Sequence, residues 1–200
     1  RLVRMALASQ PSFVLDLATG SGDVAFALQS RLSAESKIIG LDFCQPMLDQ
    51  ATRKAMDRGL SANPEFLRGD CLDLSFEKES FDVVTIAFGL RNLEDRARGL
   101  SEMLRVLRPG GQLLVLEFSQ PSFWLRPFYY LYLKTILPIF AWVLTRDRKA
   151  YEYLGSSITG FPDRGGLSAE LRAAGFTKVS SVAMTGSIVA IHSGHGNGTG

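Results

Sequence analysis

The chain has 200 residues, 46% of them hydrophobic and 21% charged, and a formal net charge of +2. This suits one domain with a substantial buried core and leaves little room for two, while the small and scattered positive balance excludes nucleic-acid binding by bulk electrostatics. Cys44, Cys71, His192 and His195 lack the spacing of a disulfide framework or a metal cluster, so a reducing compartment and no metal are expected.

The chain opens on Arg1 with RLVRMALASQPS, enough for a short amphipathic turn or two. No signal peptide is visible, and the absence of an initial Met raises the expectation of a segment upstream. FVLDLA (13–18) then reads as a strand running into a Gly-rich turn and a helix over Val24 to Leu32. KIIGLD (37–42), a helix over Met47 to Arg58, EFLRGD (65–70), FDVVTIAFGL (81–90), a helix over Ala97 to Leu107 and GGQLLVLEF (110–118) continue the alternation. Apolar runs without polar alternation, separated by helices, are strands buried on both faces of a parallel sheet. RPGG (108–111) stops one helix, and AAGF (173–176) stops another. The last two strands, KVSSVAM (178–184) and SIVAIHS (187–193), are joined at Thr185–Gly186 by a turn too tight for a helical crossover, so one strand at that end runs antiparallel. Residues 194–200, GHGNGTG, read as a disordered tail.

Between these elements lies FWLRPFYYLYLKTILPIFAWVL (123–144), long enough to span a bilayer. Arg126 and Lys134 interrupt it, each unfavourable by about 2.5–3.5 kcal/mol at a membrane centre, and Pro127 and Pro138 break the helix. The segment is therefore expected within a helical insertion over 121–160. It either covers the sheet or walls a tunnel for a lipid tail, with Trp124, Tyr129, Tyr130 and Trp142 suited to a membrane interface.

Ligands bind an open parallel sheet outside the carboxyl ends of its strands. Asp16 lies near the end of the first strand, Asp23 follows the glycines, Asp42 ends the second strand and Asp70 the third. Gly20, Gly22 and Ala25 complete the dinucleotide fingerprint G-x-G-x-x-A, yet a pyrophosphate needs a helix N-terminus without a competing anion, and Asp23 occupies it. The acidic surroundings suit a cation such as S-adenosylmethionine, whose ribose diol can bind Asp42. The alternatives are that Asp16 holds the turn, that Asp23 stabilises the helix start and that the glycines serve packing.

VLDLATGSGD, GLDFCQPML, RGDCLDLSF, FDVVTIAFGLRNLEDR, LRVLRPGGQLLVLEFSQP and AGF occur in that order along nearly the whole chain. Together they resemble the UbiE/MenG family of quinone-biosynthesis C-methyltransferases. The resemblance implies an α/β, Rossmann-like class I methyltransferase fold with a seven-stranded sheet and S-adenosyl-L-methionine as cofactor. It implies a polyprenylated quinol as substrate, a demethylmenaquinol or a benzoquinol precursor of ubiquinone. Cofactor contacts are expected at Asp16, Thr19, Gly20, Ser21, Gly22, Asp42, Asp70, Cys71 and Ala87. Cys71 contributes its N–H rather than its thiol, and Ala87 stands where some members carry Ser. Arg91 and Asn92 are the expected catalytic residues. Arg91 stabilises a phenolate or positions a water and Asn92 orients either partner, whereas surface pairing of Arg91 with Glu94 or Asp95 is the structural alternative. Glu117 is read as a partner for Arg91 or a nearby loop. The implied setting is the cytoplasmic side of a membrane, touched through 123–144, with a homodimer or a biosynthetic complex as possible assemblies. A Tyr-containing lid upstream of the first strand is a further implication. A nicotinamide-dependent oxidoreductase and a noncatalytic methyltransferase-like binding module are the competing readings.

Overall fold

The computed structural model describes residues 1–60, 63–120 and 160–197, so the expected insertion, with the whole of 123–144, lies outside the described residues. The elements are α1 (Leu2–Leu7), β1 (Phe13–Leu17), α2 (Asp23–Gln29), β2 (Lys37–Asp42), α3 (Gln45–Asp57), β3 (Glu65–Arg68), β4 (Phe81–Ala87), a 3-10 turn (Leu90–Asn92), α4 (Arg96–Val106), β5 (Leu107–Phe118), α5 (Arg164–Ala173), β6 (Thr177–Met184) and β7 (Val189–His195).

The seven strands form one sheet in the order β3-β2-β1-β4-β5-β7-β6. β1 to β5 are parallel, and β7 runs antiparallel between β5 and β6. The apolar runs supply both faces by strict alternation. Val14, Val83 and Leu114 join Leu2 and Ala6 of α1 and Ala25 and Leu28 of α2 in one cluster. Leu15, Val84, Leu113 and Val115 join Leu100 and Met103 of α4 and Leu167 and Leu171 of α5 in the other. Burying the sheet on both faces is what requires the uninterrupted hydrophobic strands.

Several boundaries differ from the sequence reading. RPGG stops the helix as expected, at Val106, but β5 begins at Leu107 rather than Gly110, and a bulge opposite Phe81 and Val83 absorbs the segment, with Gly110 at φ 75°. A strand-end bulge tolerates proline, which has no N–H to pair. Asp70 lies two residues beyond β3 rather than ending it. The tail starts later than expected. Gly194 and His195 complete β7 opposite Leu113 and Gln112, and the Gly196 N–H reaches the Gly111 carbonyl at 2.9 Å. α1 packs in the core against α2. No helix among the described residues is long and apolar enough to cross a membrane.

Candidate active site

The strand order reverses between β1 and β4, and loops from these strands diverge to opposite faces, leaving a crevice at their carboxyl ends. A cavity of about 540 Å³ occupies that place, lined by Ala18 after β1, Asp42 and Phe43 after β2, Arg68 to Leu72 after β3, and Gly89 and Asn92 to Glu94 after β4. The backbone is held tightly around it. Ala18 and Phe88 take left-handed φ values of 49° and 56°, and a Cβ on Gly89 would lie 2.4 Å from that of Ala18. Strain of this kind persists only where the surrounding structure enforces it, and it concentrates at functional sites.

The carboxylates divide by what they touch. Asp16, 1% exposed, accepts from Thr19 Oγ1 at 2.7 Å and Thr85 Oγ1 at 2.6 Å. It ties β1 to β4 and the turn, the role weighed as the alternative for it. Burial pushes its pKa up to about 6, against the two hydroxyl hydrogen bonds, with Asp42 nearby adding to the rise. The native state thus holds this proton more tightly than the unfolded chain, whose value is 3.8. The penalty for the buried charge applies above about pH 6 and is relieved as pH falls toward the unfolded value. Wild type should therefore gain stability relative to Asp16→Asn on going from neutral pH to about pH 4.5, by at most about 3 kcal/mol. Urea melts at the two pH values check this; a constant difference between the proteins would show that the carboxyl does not titrate as stated.

Asp23 is 78% exposed, and its Oδ1 accepts from Lys54 Nζ of α3 at 3.0 Å. Lys54 also donates to Ser21 Oγ at 2.7 Å and to the Ser21 carbonyl at 3.3 Å, clamping the outer side of the turn. The expectation that Asp16 and Asp23 make the turn attractive to a cation is corrected accordingly. One carboxyl is buried on threonines and the other is offset by a lysine. Lys54 escaped the sequence reading because only the return of α3 beside the turn brings it there.

Asp42 and Asp70 do reach the cavity. Asp42 is buried, with Oδ2 accepting from the Gly20 N–H at 2.8 Å and Oδ1 from the Cys44 N–H at 2.9 Å. A carboxylate has about four lone-pair sites, so these bonds orient it without exhausting it. Asp70 Oδ1 accepts from the Leu72 N–H at 2.8 Å, which turns the chain so that Cys71 lines the cavity. The Cys71 thiol is pushed up to about 11 by burial, with neighbouring Asp70 contributing, and stays protonated at neutral pH. Phe43 beside Asp42 is 75% exposed, an apolar surface the sequence reading passed over although it directly follows a strand-end carboxylate. Gly22, at φ 83° with Phe66 2.7 Å from any added Cβ, shapes the start of α2. Thr19, Gly20, Ser21, Gly22 and Ala87 stand beside the cavity without lining it.

Arg91 does not pair with Glu94 or Asp95. Its Nη1 meets Glu117 Oε1 at 2.6 Å and the Phe88 carbonyl at 2.7 Å, and its guanidinium lies 5.1 Å from the Phe118 ring centroid. Glu117 accepts further bonds from the backbone N–H groups of Phe118 and Arg91. Burial raises the Glu117 pKa, while Arg91 and these N–H groups oppose the rise. Asn92 lines the cavity at the end of the 3-10 turn.

The strand order with its antiparallel β7, and a cavity walled by a strand-end carboxylate and an exposed aromatic ring, define a class I methyltransferase. A cavity of this size falls in the range of small-molecule sites, and its mixture of carboxylate, backbone N–H and apolar surface fits an adenosine. The chain belongs to the ubiE/COQ5 methyltransferase family, whose model matches residues 2–196. It is an S-adenosylmethionine-dependent enzyme, and the oxidoreductase reading is set aside. A ubiquinone/menaquinone biosynthesis C-methyltransferase UbiE from Idiomarina loihiensis is 42% identical over 183 residues, covering 91% of this chain and 73% of that protein. A demethylmenaquinone methyltransferase from Thermus thermophilus is 43% identical over 197 residues, covering 97% and 87%. Among solved structures, an S-adenosylmethionine-dependent methyltransferase from Aquifex aeolicus superposes with a TM-score of 0.67 at 18% identity, covering 96% of this chain and 88% of that one. The [4+2]-cyclase SpnF superposes with a TM-score of 0.74 at 20% identity, covering 98% and 80%. The same fold thus carries other chemistry, and the reaction must be argued from the site.

Proposed function

We propose that the chain methylates a ring carbon of a polyprenylated quinol, with the cavity beside Asp42 as its cofactor site. The relatives named above carry ubiquinone and menaquinone biosynthesis or demethylmenaquinone in their names, which supports the substrate class. The observation that carries the chemistry is a guanidinium fixed at the carboxyl edge of the sheet, immediately before cavity-lining Asn92.

Bound S-adenosylmethionine supplies an electrophilic methyl group on a sulfonium. Asp42 would hold the ribose hydroxyls, Asp70 the adenine amino group and the Cys71 N–H an adenine ring nitrogen, with Phe43 offering apolar surface to the adenosine. The glycine turn beside the cavity would hold the methionine part through its backbone, with Ser21 kept in place by Lys54. Carbon methylation requires phenolate character on a ring oxygen, which raises electron density on the attacking carbon. Arg91 stabilises that charge and does not act as the base, because a guanidinium stays protonated. Asn92 orients the ring or a water that takes the proton.

Radiolabelled methyl transfer to a short-chain demethylmenaquinol and to the corresponding benzoquinol tests the reading and separates the two substrates. Tight cofactor binding with no transfer to either quinol would instead favour a noncatalytic binding module.

A further inference from the structure

Two buried side-chain atoms at the carboxyl end of β5 have no hydrogen-bond partner among the described residues: Nε of Arg91 and Oγ of Ser119. Buried polar groups in native proteins almost always have partners, so each orphan calls for an explanation. A third, Nδ1 of His192, lies elsewhere, on a ring whose Nε2 meets the Arg164 carbonyl. Ser119 is 3% exposed, and its N–H still reaches the Ile188 carbonyl at 2.8 Å, so the extended chain of β5 continues to it. Residues two apart in extended chain share a face, roughly 6.5–7 Å from each other. Ser119 therefore lies on the face of Glu117, which holds Arg91. The bonds of Arg91 to Glu117 and Phe88 are made through Nη1, leaving the Nε–H as an uncommitted donor.

We infer that Arg91 and Ser119 form a two-point clamp for the two ring oxygens of a dihydroxyarene, with Glu117 presenting Arg91. The inference rests on the quinol reading above and deepens it. Its two ends differ chemically. The guanidinium is cationic and only donates, so it takes the oxygen that becomes phenolate; the hydroxyl donates or accepts, so it takes the oxygen that stays protonated. The clamp thereby distinguishes the two oxygens and selects which ring carbon is presented for methylation.

The test compares 1,4-naphthohydroquinone, kept reduced with dithionite, with 1-naphthol, which lacks the second oxygen. Binding of each to the S-adenosylhomocysteine-loaded protein is measured by calorimetry. Wild type should prefer the hydroquinone. Ser119→Ala should weaken hydroquinone binding about tenfold, the loss of one hydrogen bond, and leave 1-naphthol within about twofold. Ser119→Thr, which keeps the hydroxyl, should retain the preference, and Arg91→Ala should weaken both compounds. Equal effects of Ser119→Ala on the two ligands, no effect on either, or no preference in wild type would overturn the clamp. Methyl transfer by wild type is scored separately: if it fails while the binding pattern holds, the quinol reaction is wrong and the clamp stands.

Discussion

Asp42→Ala is expected to weaken S-adenosylmethionine binding more than a hundredfold. The carboxylate accepts from the Gly20 and Cys44 N–H groups at 2.8 and 2.9 Å, so it arrives at the cavity already oriented. Hydrogen bonds from ribose hydroxyls to a charged group contribute about 1.5–3 kcal/mol each, and two of them exceed the roughly 2.7 kcal/mol that corresponds to a hundredfold. The substitution also frees the Gly20 N–H, so the turn loses part of its support and the cofactor loses more than two contacts. Asp42→Asn keeps one carbonyl acceptor and should lie between the two. Calorimetry with thermal melts of the free proteins decides the matter. Unchanged affinity would remove Asp42 from the site, and a collapse in melting temperature would assign it to the turn alone.

Much of this was legible beforehand because the sheet is buried on both faces. Its strands had to be continuous apolar runs, and the tight connection after Met184 could only join antiparallel neighbours. Asp42 was legible for the same reason, as an acid ending such a run. What escaped depended on elements brought back by the fold. Lys54 meets Ser21 across 33 residues, and no local pattern announces that a lysine on α3 will offset Asp23. The buried tie from Asp16 to Thr85 spans 69 residues. RPGG does stop the helix, which ends at Val106, but proline and glycine signal both a helix stop and a strand bulge, and only pairing with β4 shows that β5 has already begun there. The partner of Arg91 was open between nearby Glu94 or Asp95 and the more distant Glu117. Parallel pairing of β4 with β5 settled it, placing the end of β5 beside the loop that carries Arg91.

That pair carries the other large effect. Arg91→Ala should lower kcat by about a hundredfold to a thousandfold, the cost of removing one donor from developing negative charge, while cofactor affinity stays within about threefold. Loss of cofactor affinity with turnover unchanged at saturation would place Arg91 in the cofactor site instead. The same substitution leaves Glu117, whose side chain is 0% exposed, as a buried carboxylate without its cation. Removing one member of a buried pair costs about 3–5 kcal/mol, most of it from the charge left behind. Arg91→Ala should therefore be markedly destabilised near neutral pH. The Glu117 pKa is already raised by burial in the intact pair, and it rises further once the guanidinium is gone. A carboxyl whose folded pKa lies above its unfolded value makes the native state relatively more stable as pH falls through the folded value. The variant should accordingly regain stability toward acid, and Glu117→Gln added to it should restore stability at neutral pH and abolish that recovery. Turnover gives an independent check, since Glu117 acts through Arg91: Glu117→Gln should lower kcat in wild type and have no further effect in Arg91→Ala. Additive losses in kcat, or a double variant less stable than Arg91→Ala at neutral pH, would show that Glu117 serves the fold separately from the guanidinium it holds.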